Sequence, residues 1–142
     1  MNPDKRKNAQ CLSCKSLFKY GKNCTGKYCS NKCQQQHFRD KRIDDWVNHR
    51  TNPIKAGGRL CVWARKYLLD QAQHKCSKCG WCEVNPSTGK CPLESHHIDG
   101  DASNCDLQNL KILCPNCHSL TSTYKALNKG NGFQERLRYS KL

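Results

Sequence analysis

Apolar residues are sparse in this chain and fall in short, spaced groups. Residues 34–49 read as a helix with Phe38, Trp46 and Val47 as its apolar contacts. Thr51-Asn52-Pro53 and Gly57-Gly58 then interrupt the chain. Residues 59–74 read as a second helix. Leu60, Trp63, Tyr67 and Leu68, with Ala64 beside them, fall near the 3.6-residue period. Farther on, Leu93 to Ile98 predicts a strand, Asp99-Gly100-Asp101 a loop, and Lys111 to Leu113 a short second strand. Pro115 to Leu127 predicts a helix with proline near its first position. Lys129-Gly-Asn-Gly should stop that helix.

These groups are too few for a large core. The hydrophobic fraction is 36% of 142 residues, and it counts 13 cysteines. Without them it falls to about 27%, against about 45–50% in ordinary globular domains. One or two small domains fit this length, and they need metals or disulfides as staples. No run of 18 apolar residues suggests a membrane helix. The start, MNPDKRKNAQ, has no apolar secretory segment. The expected compartment is therefore reducing and cytoplasmic, where structural disulfides are rare. An odd number of cysteines also cannot pair fully within one chain.

The spacing of the cysteines points to metal. Cys76, Cys79, Cys114 and Cys117 form two CxxC pairs with 34 residues between them. A tight CxxC turn brings two sulfurs to one face, and two such turns complete a tetrahedron around zinc. Cys11, Cys14, Cys29 and Cys33 form a second set, fitting a treble-clef or ribbon-like knuckle, with Cys24 as a competing ligand. Cys61, Cys82, Cys91 and Cys105, and Cys24 if unused, read as buried small residues or free thiols. Trp46, Trp63 and Trp81 read as packing residues, with Trp81 covering the second zinc set.

The net charge is +14, which suits a polyanionic partner, most plausibly nucleic acid. It is unevenly spread. Residues 1–42 carry 11 basic and 2 acidic side chains, whereas residues 76–128 carry 4 and 5. The expected phosphate contacts are Lys5, Arg6, Lys7, Lys27, Lys32, Arg39, Arg42, Arg59 and Arg65. Singly, each is more often a solvated surface charge, and it is the collective bias that points to phosphate.

Between the two CxxC pairs of the second set lie His96 and His97, and His118 follows Cys117 directly. Adjacent strand residues point to opposite faces, so His96 and His97 should have different jobs. A hairpin folded over the last helix would bring His118 near them. Two neutral imidazoles with waters can hold a divalent ion, and a third imidazole can deprotonate water. That combination suits phosphodiester hydrolysis.

The run LESHHIDGD…N…LQNLKILCPNCHSLT resembles the HNH endonucleases of the zinc-clamped, ββα-metal type. The whole chain also resembles small phage-encoded HNH proteins with an N-terminal zinc knuckle. The resemblance is specific over 75–130 and looser over 8–74. It implies a small zinc-stabilised α+β fold. Residues 1–42 would form a basic zinc knuckle and the start of a helix, and 43–74 a helical linker. Residues 75–128 would form the nuclease core, and 129–142 a basic tail.

The family pattern implies that His97 is the general base and that His96 and His118 hold the catalytic ion. Asn109 would orient the base by bracing the loop, a job close to that of an ordinary turn-capping Asn. His-His stands here in place of the commoner Asp-His. Mg²⁺ prefers oxygen ligands, so Mn²⁺, Ni²⁺, Co²⁺ or Zn²⁺ join Mg²⁺ as candidate ions. Glu94 reads as a solvated edge residue, or as a carboxylate behind the metal ligands. Asp99, Asp101 and Asn104 read first as turn formers.

The expected substrate is DNA, most simply double-stranded, with no membrane partner. A homing role is one biological setting. A non-catalytic zinc-finger protein that binds nucleic acid through an HNH-like core, and an RNA-directed nuclease, are the alternatives. Monomer and dimer are both open.

Overall fold

Each CxxC pair near the start of a cysteine set builds a tight turn, and the rest of each unit is arranged around it. The computed structural model describes residues 6–22, 24–55 and 59–128. Lys5, Gly57-Gly58 and the basic tail 129–142 lie outside the described residues. The chain divides into two units, residues 1–45 and 46–142.

In the first unit, strands β1 (Lys7–Gln10) and β2 (Leu17–Tyr20) pair antiparallel, with Gln10 opposite Leu17. The loop between them is the Cys11–Cys14 turn. It is closed by bonds from Cys11 N–H to the Ser16 carbonyl (2.9 Å) and from Lys15 N–H to the Cys11 carbonyl (3.0 Å). Helix α1 (Asn31–Val47) follows. Its start is set by Ser30, whose Oγ accepts the Cys33 N–H at 3.2 Å. This satisfies one of the free N–H groups of the first turn. The sequence pattern placed this helix at 34–49 and missed the preceding hairpin.

In the second unit, β3 (Ile54–Lys55) and β4 (Arg59–Leu60) pair over two residues. This small ladder takes Leu60 out of the helix expected over 59–74. Helix α2 runs Val62–Gln71. It buries Ala64 and Leu68, with Trp63 and Tyr67 packed beside them. It ends where Gln73 and His74 both turn left-handed (φ 51° and 55°).

Strands β5 (Glu94–His97) and β6 (Leu110–Leu113) then pair antiparallel, with His97 opposite Leu110 and Glu94 opposite Leu113. Helix α3 (Pro115–Ser119) follows at once. It is much shorter than the expected 115–127. Downstream of it lies Thr121-Ser122-Thr123, and hydroxyls already compete for its carbonyls. Ser119 Oγ donates to Asn116 O and Thr121 Oγ1 to His118 O, both at 2.8 Å. Such local bonds offer the backbone an alternative to continuing a helix. A 3-10 turn over Lys125–Leu127 closes the described chain.

The core joins Leu93, Leu110, Ile112 and Leu113 of the hairpin region to Ala64 and Leu68 of α2 and to Cys76, Cys105, Cys114 and Cys117. Trp46 is part of it and meets Trp63 and Tyr67 edge-on, each at 5.8 Å. Nearly half of these side chains are cysteines or Ala, which bury little apolar area, so hydrophobic burial alone holds this unit weakly. Among the described residues, no helix is long and apolar enough to cross a membrane.

Candidate active site

Among the described residues, two clusters of four cysteines lie one in each unit. The sulfurs of Cys11, Cys14, Cys29 and Cys33 lie within 4.8 Å of one another, and so do those of Cys76, Cys79, Cys114 and Cys117. Both clusters are built alike. A CxxC turn supplies two sulfurs, closed by an i to i+4 backbone bond: Lys15 to Cys11, and Gly80 to Cys76 at 2.8 Å. The residue after the second cysteine is left-handed in each, with φ 62° at Lys15 and 77° at Gly80. A helix start supplies the other two. Cys33 lies in the first turn of α1, and Cys114 caps α3, its sulfur accepting the Cys117 N–H at 3.4 Å.

Within each cluster the sulfurs compete for protons. At Cys11 and Cys76 burial pushes the thiol up, but converging backbone N–H groups outweigh it and bring each down to about 6. Cys29 and Cys117 are pushed up to about 12, first by the sulfurs of Cys33 and Cys79 respectively. Four crowded sulfurs cannot all be thiolates unless a positive ion lies between them. The two four-cysteine clusters suggest structural zinc.

The five other cysteines lie outside these clusters. Burial raises Cys91 and lifts Cys105 to about 11, so both are inert thiols at neutral pH.

The β5–β6 hairpin and α3 bring His96 and His118 side by side, and His97 is the next residue along β5. His96 is only 8% exposed. Burial, followed by the neighbouring His118, His97 and Lys111, holds its imidazole below the ordinary range. It is therefore neutral and able to ligate. The His96 and His118 rings stand edge to face, 5.1 Å apart. His118 Nδ1 is bonded to the Glu94 carboxylate. A carboxylate can only accept, so Nδ1 carries a proton and Nε2 is the nitrogen left to ligate when the ring is neutral. The Tyr124 ring meets the His118 ring edge-on, 5.3 Å away.

His97 is arranged differently. Its Nδ1 lies 3.0 Å from the Asn104 carbonyl oxygen. A carbonyl also only accepts, so Nδ1 is protonated and Nε2 is the basic nitrogen. The same carbonyl receives Asn109 Nδ2 at 2.9 Å. Asn109 further donates to Asp99 Oδ1 (2.8 Å) and accepts the Asp99 N–H (3.0 Å). Asp99 also receives the Asp101 N–H (2.8 Å) and Asn104 Nδ2 (2.7 Å). Burial raises the Asp99 carboxyl, but these donors win and hold it below its ordinary range. Asp99 is thus the hub of the loop, a role its reading as a turn former anticipates only in part.

The loop closes on Gly100, whose φ is 76°. A side chain there would lie 2.9 Å from Thr123 Cγ2, and Asn128 Nδ2 donates to its carbonyl at 2.8 Å.

The basic residues are spread along both units. Arg6 and Lys7 lie at β1, Lys27 before α1, Lys32, Arg39 and Arg42 on α1, Arg59 on β4 and Arg65 on α2. Arg65 has an internal partner as well, donating to the Leu93 carbonyl at 2.7 Å. Tyr124 is a neighbour of the site that residue spacing did not single out, while Glu94 takes the second of its two readings, the carboxylate behind a histidine. The Glu-x-His-His order of β5 was the available signal for Glu94.

No family model matches the chain, and no solved structure matches it. Over 60 residues it is 43% identical to the H-N-H endonuclease F-TflIV of Escherichia phage T5, a match covering 40% of this chain. The chain spans about a quarter of that relative's length (24%). This similarity, with the zinc-type cysteine clusters, supports the HNH endonuclease family for the chain.

Proposed function

We propose that this protein is a metal-dependent HNH endonuclease that hydrolyses phosphodiester bonds in double-stranded DNA. The observation that carries this reading is the division of labour along β5. His97 has Nδ1 tied to a carbonyl and Nε2 free, while its neighbour His96 is buried, neutral and beside His118.

In this reading residues 75–128 are the ββα-metal core, 1–42 the basic knuckle, 43–74 the linker and 129–142 a basic tail. His97 Nε2 takes the proton from the attacking water. Its Nδ1 bond fixes the correct tautomer and steadies the imidazolium as it forms. Asn109 and Asp99 hold the carbonyl that does this. His96 and His118 Nε2 would hold the divalent ion, with Glu94 fixing the His118 tautomer from behind. A bound ion, Mg²⁺ or Mn²⁺ or a softer one, supplies positive charge to a phosphate oxygen and the leaving oxygen. Lys5, Arg6, Lys7, Lys27, Lys32, Arg39, Arg42, Arg59 and Arg65 bind phosphates without reading sequence. A phage-encoded enzyme working in the host cytoplasm, of homing type among other settings, is consistent with the resemblance to the phage T5 protein.

The test is supercoiled plasmid incubated with Mg²⁺ or Mn²⁺, with EDTA and His97→Ala as controls. Nicking by the wild type that His97→Ala abolishes supports the mechanism. Equal behaviour of the two proteins sinks it, and binding without cleavage favours a purely DNA-binding role.

A further inference from the structure

Three residues just upstream of α2 grip the same loop that orients His97. The buried indole of Trp46 donates from Nε1 to the Cys105 carbonyl at 2.7 Å. Asn52 Nδ2 donates to the Ser103 carbonyl at 3.2 Å. His49 Nδ1 lies 3.2 Å from the Asp106 carboxylate. Between the two gripped carbonyls sits that of Asn104, which receives His97 Nδ1 at 3.0 Å and Asn109 Nδ2 at 2.9 Å. Three successive carbonyls are thus used in alternation: 103 and 105 by the upstream segment, 104 by the histidine and its brace.

Peptide units are planar, so a carbonyl reorients only when its whole unit turns. With 103 and 105 both tied, the backbone on either side of the 104–105 peptide is held in place, at the position from which its carbonyl reaches His97 and Asn109. The Trp46 bond is the stronger tie. It is buried, so water does not replace it when it breaks. Trp46 is itself locked by Trp63 and Tyr67. Asn52 is exposed and contributes a more replaceable tie.

We infer that Trp46 and Asn52, seconded by His49, are positioning residues for His97: they hold the 103–106 loop so that the Asn104 carbonyl fixes the histidine's Nδ1-protonated form. The segment expected to be a mere linker is then part of the active-site scaffold. The inference rests on His97 being the general base, but the hydrogen-bond geometry behind it does not depend on catalysis.

The test uses the full zinc-loaded protein with Trp46→Phe, Asn52→Ala and the double variant. Phe keeps an aromatic ring against Trp63 and Tyr67 and removes the donor, leaving a small cavity where the rest of the indole stood. The first readout is the ¹⁵N chemical shifts of the His97 ring at neutral pH, which report the tautomer. The second is the split between kcat and KM on plasmid DNA.

The expected result is a shift of His97 toward a mixture of tautomers, largest in the double variant. With it, kcat should fall about 10- to 100-fold, the scale expected when a reacting group is misplaced by about 1 Å, while KM stays within about twofold. His97 signals identical to wild type in the folded variants overturn the inference, whatever happens to the rate. If Trp46→Phe does not fold, exposed Asn52→Ala decides alone: a shift supports the inference and no shift overturns it. If the wild type cuts no DNA, the proposed function fails separately and the ¹⁵N readout still decides the clamp.

Discussion

Asn109 and Asp99 exchange hydrogen bonds in both directions: the Asp99 N–H donates to Asn109 Oδ1 at 3.0 Å, and Asn109 Nδ2 donates to Asp99 Oδ1 at 2.8 Å. A third bond carries Asn109 to the Asn104 carbonyl, so one side chain ties β6 to both ends of the loop. Asn109→Ala removes all three bonds. At about 0.5–1.5 kcal/mol each, the loss is about 1.5–4.5 kcal/mol, readable by urea denaturation. Asn109→Asp should be no better. It places a second carboxylate against Asp99 and cannot donate to the carbonyl.

Asp99 makes the loop sensitive to acid. Its carboxyl titrates below the ordinary range in the folded chain. A depressed acid contributes stability that is fully present above its unfolded value, about 3.9. That stability is lost as pH falls through the folded value. Asp99→Asn should therefore be less stable than wild type at neutral pH, and the gap should narrow below about pH 4. Protonation of zinc-bound thiolates acts on both proteins, so the quantity to follow is the difference between their denaturation midpoints. A gap that is constant with pH would contradict the role of the charge.

Glu94 controls which nitrogen of His118 is free. Removing such a carboxylate behind a metal-ligating histidine typically weakens binding 10- to 100-fold. Glu94→Ala should show a loss of about that size for Mn²⁺ in titration calorimetry. Glu94→Gln keeps an acceptor for Nδ1–H and should lose less. Equal affinity in all three proteins would place Glu94 at the solvated edge after all.

The two clusters lie in different units, so each should fail by itself. Metal analysis should find two zinc ions per chain. Cys29→Ser should leave one, and amide exchange across β5 and β6 should stay as slow as in the wild type. Cys114→Ser should leave one as well but expose those strands, because Cys114 lies in the core they share. Chelation should unfold both units, as metal binding contributes directly to folding in such small modules.

The cysteine spacing, the β5–β6 hairpin and the start of α3 are all readable along the chain. They are local, and each has a residue type that only one geometry suits. The end of α3 is not, because Ser119 and Thr121 hydroxyls decide it against a helical pattern. The two-residue ladder at Ile54 and Leu60 depends on pairing too short to leave a period. The tie from Trp46 to Cys105 joins residues 59 positions apart. An indole N–H reads as packing until its acceptor is placed beside it. Likewise the partner of Glu94 is 24 residues away, and the alternation of β5 gives only the face it occupies.

Asn128 reaches back to the Gly100 carbonyl at a point where no larger residue than glycine fits. The loop that carries the site therefore depends on a residue nine positions beyond the end of α3. A protein shortened to end at Leu127 should carry the histidines and every zinc-type cysteine, yet have a looser loop and a lower melting temperature. Asn128→Ala in the full-length chain should loosen the loop in the same way, which traces the effect to that one amide.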